Sequence, residues 1–342
     1  LSVVDNLKIK LLGGEKARLV KRYAVEPEAY KEFLTGIHFL RKVSEQNLYR
    51  SIDCFNKALE KNPNYSQAYA GISTAYTYLG FIDYAPPTEV FPIARAMALK
   101  AIECEPDAGE GHSCMGMIKI YYDWDWEGAR IEFEKSLELQ PNFITAHTGY
   151  ACYFMAIGKL DEAIKHGKKA VELDPLGLPS NMYLGLYYLR AGRLDLAREQ
   201  INRAIEIEPK IAHHHWLLGQ TFILESKFDE GIGIIQKASE MSDSTALILG
   251  GLGWAYGVAG RAEEAFKIID TFQTKAIKEH IRPYLLAKIY SGLGEKDPAF
   301  EWLDKAYDEH DISLFSVASD ETMNNIRSDP RFDKLLRKMR LI

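Results

Sequence analysis

The chain is 342 residues long, 47% hydrophobic and 26% charged, an ordinary composition for a soluble globular protein of about two domains with a sizeable core. A net charge of −6 and a pI near 5.9 exclude the basic footprint that nucleic acid or an anionic membrane calls for. Cys54, Cys104, Cys114 and Cys152 form no C-x-x-C pair and no zinc spacing, a pattern that fits a reducing, cytoplasmic setting.

The opening LSVVDNLKIKLL carries Asp5, Lys8 and Lys10 inside its apolar run, which no signal-peptide core tolerates. The absence of an initiator Met reads as a piece of something longer. Residues 1–28 are expected to form two short helices broken at Gly13 and Gly14, serving as a cap or linker.

Beyond them one period organises the chain, and it is 34 residues: Pro141, Pro175 and Pro209 are spaced 34 and 34 apart. Gly158, Gly192, Gly260 and Gly294 share a grid, with Ser226 in the missing slot. Ala163, Ala197, Ala265 and Ala299 make a second, with Gly231 in its gap; Ala170, Ala204, Ala238 and Ala306 make a third, broken by Phe272. An aromatic grid runs Phe154, Tyr188, Phe222, Tyr256, Tyr290. A fixed period in the range of about 20 to 50 residues marks a stacked repeat.

In chain order, a first unit spans residues 29–63, with Gly36, Phe55 and Ala58 in place and three extra residues between its helices. A second carries Tyr69, Ile72, Tyr76, Gly80, Ala94, Ala101 and Pro106 with nine inserted residues, assigned to a surface excursion around FIDYAPPTEVFP. A third, residues 109–141, has Met115, Gly116, Phe133 and Ser136 with one insertion. Five in-register units follow over residues 144–309, giving eight helix pairs. In the tail, Asp329 and Pro330 read as N-cap and first helical residue, followed by Phe332, Leu335, Leu336 and Met339 on one stripe, a closing helix for the last repeat.

These residues resemble the tetratricopeptide repeat, whose pattern joins W-x2-L-G-x2-Y to A-x3-F, a later Ala and a Pro. The unit Leu184, Gly185, Tyr188, Gly192, Ala197, Ile201, Ala204, Pro209 carries it well. The resemblance implies an all-α, right-handed solenoid of about eight helix-turn-helix units over residues 29–309, closed by a capping helix within residues 310–342. Three stretches, KLLGGEKARLVKRYAVEPEAYKEFLTG, IYYDWDWEGARIEFEKSLELQPNF and IRSDPRFDKLLRKM, are similar to the C-terminal repeat regions of bacterial multidomain signalling proteins. There such regions follow adenylate cyclase, serine/threonine kinase or winged-helix domains, none of whose catalytic motifs is present here.

Three stretches could carry other chemistry. His213, His214 and His215 are consecutive on a predicted first helix, so their side chains point about 100° apart and cannot converge on one ion. DWDWEGARIEFE, residues 123–134, nearly fits a calcium loop, but a helix starting near Trp126 cannot wrap Glu134 back to Asp123. The apolar window of residues 244–260, 17 residues with five glycines, falls short of the roughly 20 residues a membrane span needs. No metal, cofactor or catalytic residue is assigned.

By resemblance to the family, positions 2, 5, 9 and 12 of each first helix line a concave surface where partners bind. Here that stripe is apolar, and the residues assigned to a partner-binding groove are Met117, Met182, Leu186, His213, Trp216, Gln220, Ile223 and Trp254. Methionine and tryptophan suit an adaptable contact with a peptide or helix, with Trp216 and Trp254 as accessible anchors. The expected function is a non-catalytic interaction scaffold, the regulatory or partner-binding module of a larger bacterial signalling protein. Self-association is one alternative; a metal sensor or enzyme using His213, His214 and His215 or the Asp123–Glu134 turn is another.

Overall fold

A computed structural model describes residues 26–242, 244–275 and 281–342. The expected N-terminal cap lies outside the described residues except for its last three positions. Among the described residues there are seventeen α-helices and no strand, and the chain divides into one compact unit ending at Ile118 and another beginning at Lys119.

The first unit holds α1 (Pro27–Leu40), α2 (Glu45–Lys61), α3 (Ser66–Phe81), α4 (Pro87–Cys104) and α5 (Gly109–Ile118). Ser44 starts α2 by accepting from the Asn47 amide, while Pro27 and Pro87 occupy first-turn positions where a missing N–H costs nothing. Glycines set the spacing. A Cβ at Gly36 or Gly71 would lie 2.5 or 2.6 Å from the Phe55 ring, which fills the space between α1, α2 and α3.

The nine-residue insert is not a surface excursion. It lengthens α3 and α4 to 16 and 18 residues and leaves only residues 82–86 as a connection. Phe91 of the supposed loop is fully buried, its ring 2.8 Å from where a Gly80 Cβ would sit. Pro87 sits in the first turn of α4, where its fixed φ suits helix entry.

The second unit opens on a π-helical turn, Lys119–Asp123, which absorbs the single residue inserted in the third repeat. Then come α6 (Trp126–Leu139), α7 (Ile144–Ala156), α8 (Leu160–Leu173), α9 (Leu178–Arg190), α10 (Leu194–Ile207), α11 (Ala212–Leu224), α12 (Phe228–Met241), α13 (Ala246–Val258), α14 (Ala262–Lys275), α15 (Pro283–Leu293), α16 (Lys296–Asp308) and α17 (Pro330–Lys338). Each grid has a structural counterpart. Gly158, Gly192, Gly260 and Gly294 have φ between 68° and 76°, and Ser226 in the missing slot shares the left-handed backbone at φ 61°. The amide after each of these five reaches back to the carbonyl of the aromatic grid, Lys159 to Phe154 at 2.8 Å and Lys227 to Phe222 at 2.9 Å among them. That bond closes the first helix of each of the five in-register repeats. The alanine grids are the close contacts: Ala163, Ala197, Ala265 and Ala299 are all fully buried.

The glycine-rich window becomes α13, most of whose residues from Ile248 to Tyr256 are buried against neighbouring helices, while Leu247 is exposed. Among the described residues no helix is long and apolar enough to cross a membrane. Gly250 makes room for Leu285, Gly251 for the Trp216 indole, Gly253 for Ile289 and Gly257 for the backbone of Gly292.

After α16 the chain does not go straight to its closing helix. Residues 311–327 form two short 3-10 turns, Ile312–Ser316 and Glu321–Met323, begun by Asp311 and Asp320 side chains. Then α17 starts as the Asp329-Pro330 pair signals, with Phe332, Leu335, Leu336 and Met339 buried, and lies along α16 through Arg331 to Asp297 and Lys338 to Asp304.

Candidate partner-binding face

Within the second unit, the stripe on first helices α9, α11 and α13 holds seven of the eight assigned groove residues. Met117 lies half-buried on α5 of the first unit. Met182, Leu186 and His213 are half-buried, and the His213 ring stands 4.9 Å from that of Trp216. Gln220 and Ile223 are buried, and Trp216 and Trp254 are only 5% and 2% exposed. The two indoles are therefore packed side chains rather than accessible anchors. Glycines on α13 and α15 let neighbouring backbone close over them: a Cβ at Gly251 would collide with the Trp216 ring, and one at Gly292 would lie 3.0 Å from that of Trp254.

A neighbouring part of the second unit, the stripe positions of α15 and the end of α9, is occupied by the chain itself. Residues 311–327 lie against α7, α15 and the π-helical turn. Asp320, 1% exposed, is the centre of this contact. Its carboxylate accepts from Arg190 of α9 at 2.5 Å, from Lys288 of α15 at 3.1 Å and from the Tyr284 hydroxyl at 2.9 Å. The Thr322 amide and hydroxyl close an Asx turn on it at 3.0 and 2.7 Å. Arg190 also pairs with Glu321. Two cations thus face two carboxylates with little water, an arrangement that holds only while all four are present.

Burial acts on these groups most strongly, and their neighbours decide the outcome. For Asp320 desolvation pushes the pKa up, but the charges of Arg190 and Lys288 and the bonds from Thr322 and Arg190 carry it well below the usual carboxylate range. For Glu321 desolvation, with Asp320 adding to it, outweighs Arg190 and raises the pKa. Arg190 stays charged: desolvation works against the guanidinium, and Asp320 and Glu321 more than offset it.

Further bonds seat the segment. Ser291 donates its hydroxyl to the Thr322 carbonyl at 2.7 Å, Asn325 donates to the Ser291 carbonyl at 3.0 Å, and the Tyr284 amide at the start of α15 donates to Asp311 at 3.0 Å. Tyr121 of the π-helical turn meets Phe315 edge to face, with centroids 4.9 Å apart. Arg190, Lys288, Asp320 and Glu321 were missed from sequence, although one signal existed. Extending the stripe to the eighth repeat puts Tyr284 at position 5 and Lys288 at position 9, a lone cation in the apolar run PYLLAKIYSGL.

The three histidines diverge. His213 packs on Trp216, His214 is buried, and His215 bonds the Pro209 carbonyl at 2.8 Å. Burial first, then neighbouring His215, lowers the His214 pKa to about 4. A histidine pair that was not anticipated sits on α7 and α8. His147 Nε2 lies 2.9 Å from the Pro141 carbonyl, so it donates; its Nδ1, 3.0 Å from His166 Nδ1, must then accept. Burial favours the neutral form of both rings: desolvation lowers the His147 pKa, and desolvation followed by His147 lowers that of His166 to about 4. In the 123–134 stretch α6 does start at Trp126, with Asp125 capping Gly128 and Arg130 tied to Glu127 and Glu134. Among the described residues, no group of three or more His, Cys, Asp or Glu is placed to hold a metal ion.

The repeated helix pairs, with residues 311–327 packed on α15 and the end of α9, define a helical-repeat fold. The tetratricopeptide-repeat family's profile matches residues 150–210 and 182–244. Among solved structures, human IFIT1 in a dimer with PPP-AAAA is similar at 17% identity and TM-score 0.58, over 84% of this chain and 70% of that one. Cut9 with Hcn1, an APC/C hetero-tetramer, is similar at 18% identity and TM-score 0.58, over 83% of this chain and 56% of that one. A tetratricopeptide repeat protein from Parabacteroides merdae is similar at 16% identity and TM-score 0.52, over 73% of this chain and 98% of that one. No curated protein matches the chain. At these identities the likeness establishes the fold.

Proposed function

We propose that the chain is a non-catalytic protein-interaction scaffold, the partner-binding module of a larger bacterial signalling protein working in the cytoplasm. Residues 29–309 would carry the repeats, and residues 310–342 would both cap them and line the binding face. The observation that carries this reading is that the stripe positions of α15, with Arg190 at the end of α9, already hold a peptide, residues 311–327, through side-chain bonds of the kind an interface uses. The four cysteines are all unpaired, three of them buried, as suits a reducing compartment. One similar structure contains PPP-AAAA, but the net charge of −6 and the neutralised cations of the face favour a protein ligand here.

The reading is tested with a photo-crosslinking residue placed at half-buried Met182 on the stripe or, as control, at exposed Lys237 on the second helix α12. A partner polypeptide joined at Met182 and not at Lys237 is expected. Equal crosslinking at both sites, or none at Met182 beyond the chain's own tail, would overturn it.

A further inference from the structure

Residues 311–327 are acidic where they are held most tightly, and the matching cations come from the stripe at Lys288 and from Arg190 at the end of α9. Arg190 and Lys288 have side chains only 7% exposed. With residues 311–327 lifted away they would be left as like charges on a face otherwise short of counter-charge, so any replacement must bring carboxylates of its own. Resting on the scaffold reading above, we propose that this face is a receptor for an acidic turn. The chain's own Ser319-Asp320-Glu321-Thr322 stretch is its resident ligand, exchangeable with a partner segment that presents two adjacent carboxylates.

Two features besides charge point the same way. The resident turn satisfies the site incompletely: Arg190 Nε and Glu321 Oε1 are buried without a partner, whereas both Asp320 oxygens are fully engaged. A buried polar atom left unmatched costs free energy, so a ligand that matched it would compete well. Beside the turn lies a cavity of about 380 Å³, bordered by Leu160, Leu189, Leu194, Leu224, Ser319 and Asn324. An incoming side chain can enter there while the resident turn is still in place. The segment itself is built from short 3-10 turns rather than a continuous helix, so its exchange breaks no long helix ladder but must release the buried Ile312, Leu314, Val317, Met323 and Ile326, which a replacement has to match.

The test uses the full chain and a fluorescent peptide of sequence DISLFSVASDETMNNIR, together with a version carrying Asn and Gln in place of its two adjacent acids. Asp320→Asn in the chain loosens the resident turn and leaves Arg190 and Lys288 short of a carboxylate. The acidic peptide is expected to bind that variant at least tenfold tighter than wild type, and the neutral peptide to bind neither. In wild type, amides of residues 311–327 are expected to exchange with deuterium at least tenfold faster than those of α9 and α15, and faster again with acidic peptide present. If Asp320→Asn fails to fold, the wild-type exchange decides. Exchange of 311–327 in step with α9 and α15, or equal binding of the two peptides, overturns the proposal and makes the segment a permanent closing element. An Asp320→Asn dimer by light scattering also overturns it, the occupant then being a second copy. A partner crosslinked at Met182 while 311–327 stays protected would leave the scaffold reading standing and this proposal refuted.

Discussion

Trp126 donates its indole N–H to the carbonyl of Met339 at 2.6 Å, joining the first long helix of the second unit to the residue that ends its last. Nearby, His310 stacks on Trp124 with ring centroids 3.9 Å apart and bonds the Tyr122 carbonyl. The second unit is therefore tied end to end, and both tryptophans of DWDW serve that seam. Trp126→Phe keeps most of the packing and removes the bond, so it is expected to lower stability by about 1 kcal/mol, and Trp126→Ala by about 3 to 5 kcal/mol. Denaturant unfolding measures both; a silent alanine variant would mean the seam is open in solution.

Trp216 and Trp254 are buried, so truncating either to Ala is expected to cost about 3 to 5 kcal/mol and to show as a large drop in melting temperature. Near-native melting would return them to the role the sequence assigned, accessible anchors on the concave stripe.

Ser226 is held in the left-handed backbone that glycine occupies in the other in-register repeats. Since an L-residue there costs roughly 1 to 2 kcal/mol, Ser226→Gly is expected to stabilise the fold by about 1 kcal/mol. In the opposite sense, Ala197 is fully buried where α9 and α10 meet, and Ala197→Leu is expected to cost about 1 to 3 kcal/mol by overpacking. Equal melting of wild type and both variants would show the repeat register to be misassigned.

That register was legible because each grid position has one physical duty repeated every 34 residues: a left-handed turn, a close helix contact or an aromatic filler. Ser226 and Phe272 break a grid in letters and keep it in structure, with a left-handed φ and full burial respectively. The closing helix was equally plain from Asp329 and Pro330. Residues 311–327 were not, since they carry no period and their main partner, Arg190, lies 130 positions from Asp320. For the same reason the burial of the groove could not be read from the stripe alone: Trp216 is covered by what Gly251 omits. The insert after Gly80 misled because Pro86 and Pro87 signal a turn, and only Phe91 beneath Gly80 reveals that a helix resumes at once.

His214 is 2% exposed and its folded-state pKa is lowered from 6.5 to about 4. The unfolded chain therefore binds more protons between those values, and stability present above pH 6.5 is lost as the pH falls toward 4. The shift amounts to at most about 3 kcal/mol. Melting temperature followed from pH 7 to 4 is expected to fall more steeply in wild type than in His214→Leu; identical slopes would mean that His214 protonates freely in the folded chain.

The seating of residues 311–327 on the repeat face rests above all on Arg190 and Asp320, and a double-mutant cycle on that pair measures it directly. Stability is determined for wild type, Arg190→Met, Asp320→Asn and the double variant by denaturant unfolding. Seating as described predicts a coupling of about 1 to 3 kcal/mol, the double variant being less damaged than the two single losses added together. Additivity to within about 0.5 kcal/mol would place the two side chains apart in solution and contradict the occupied face.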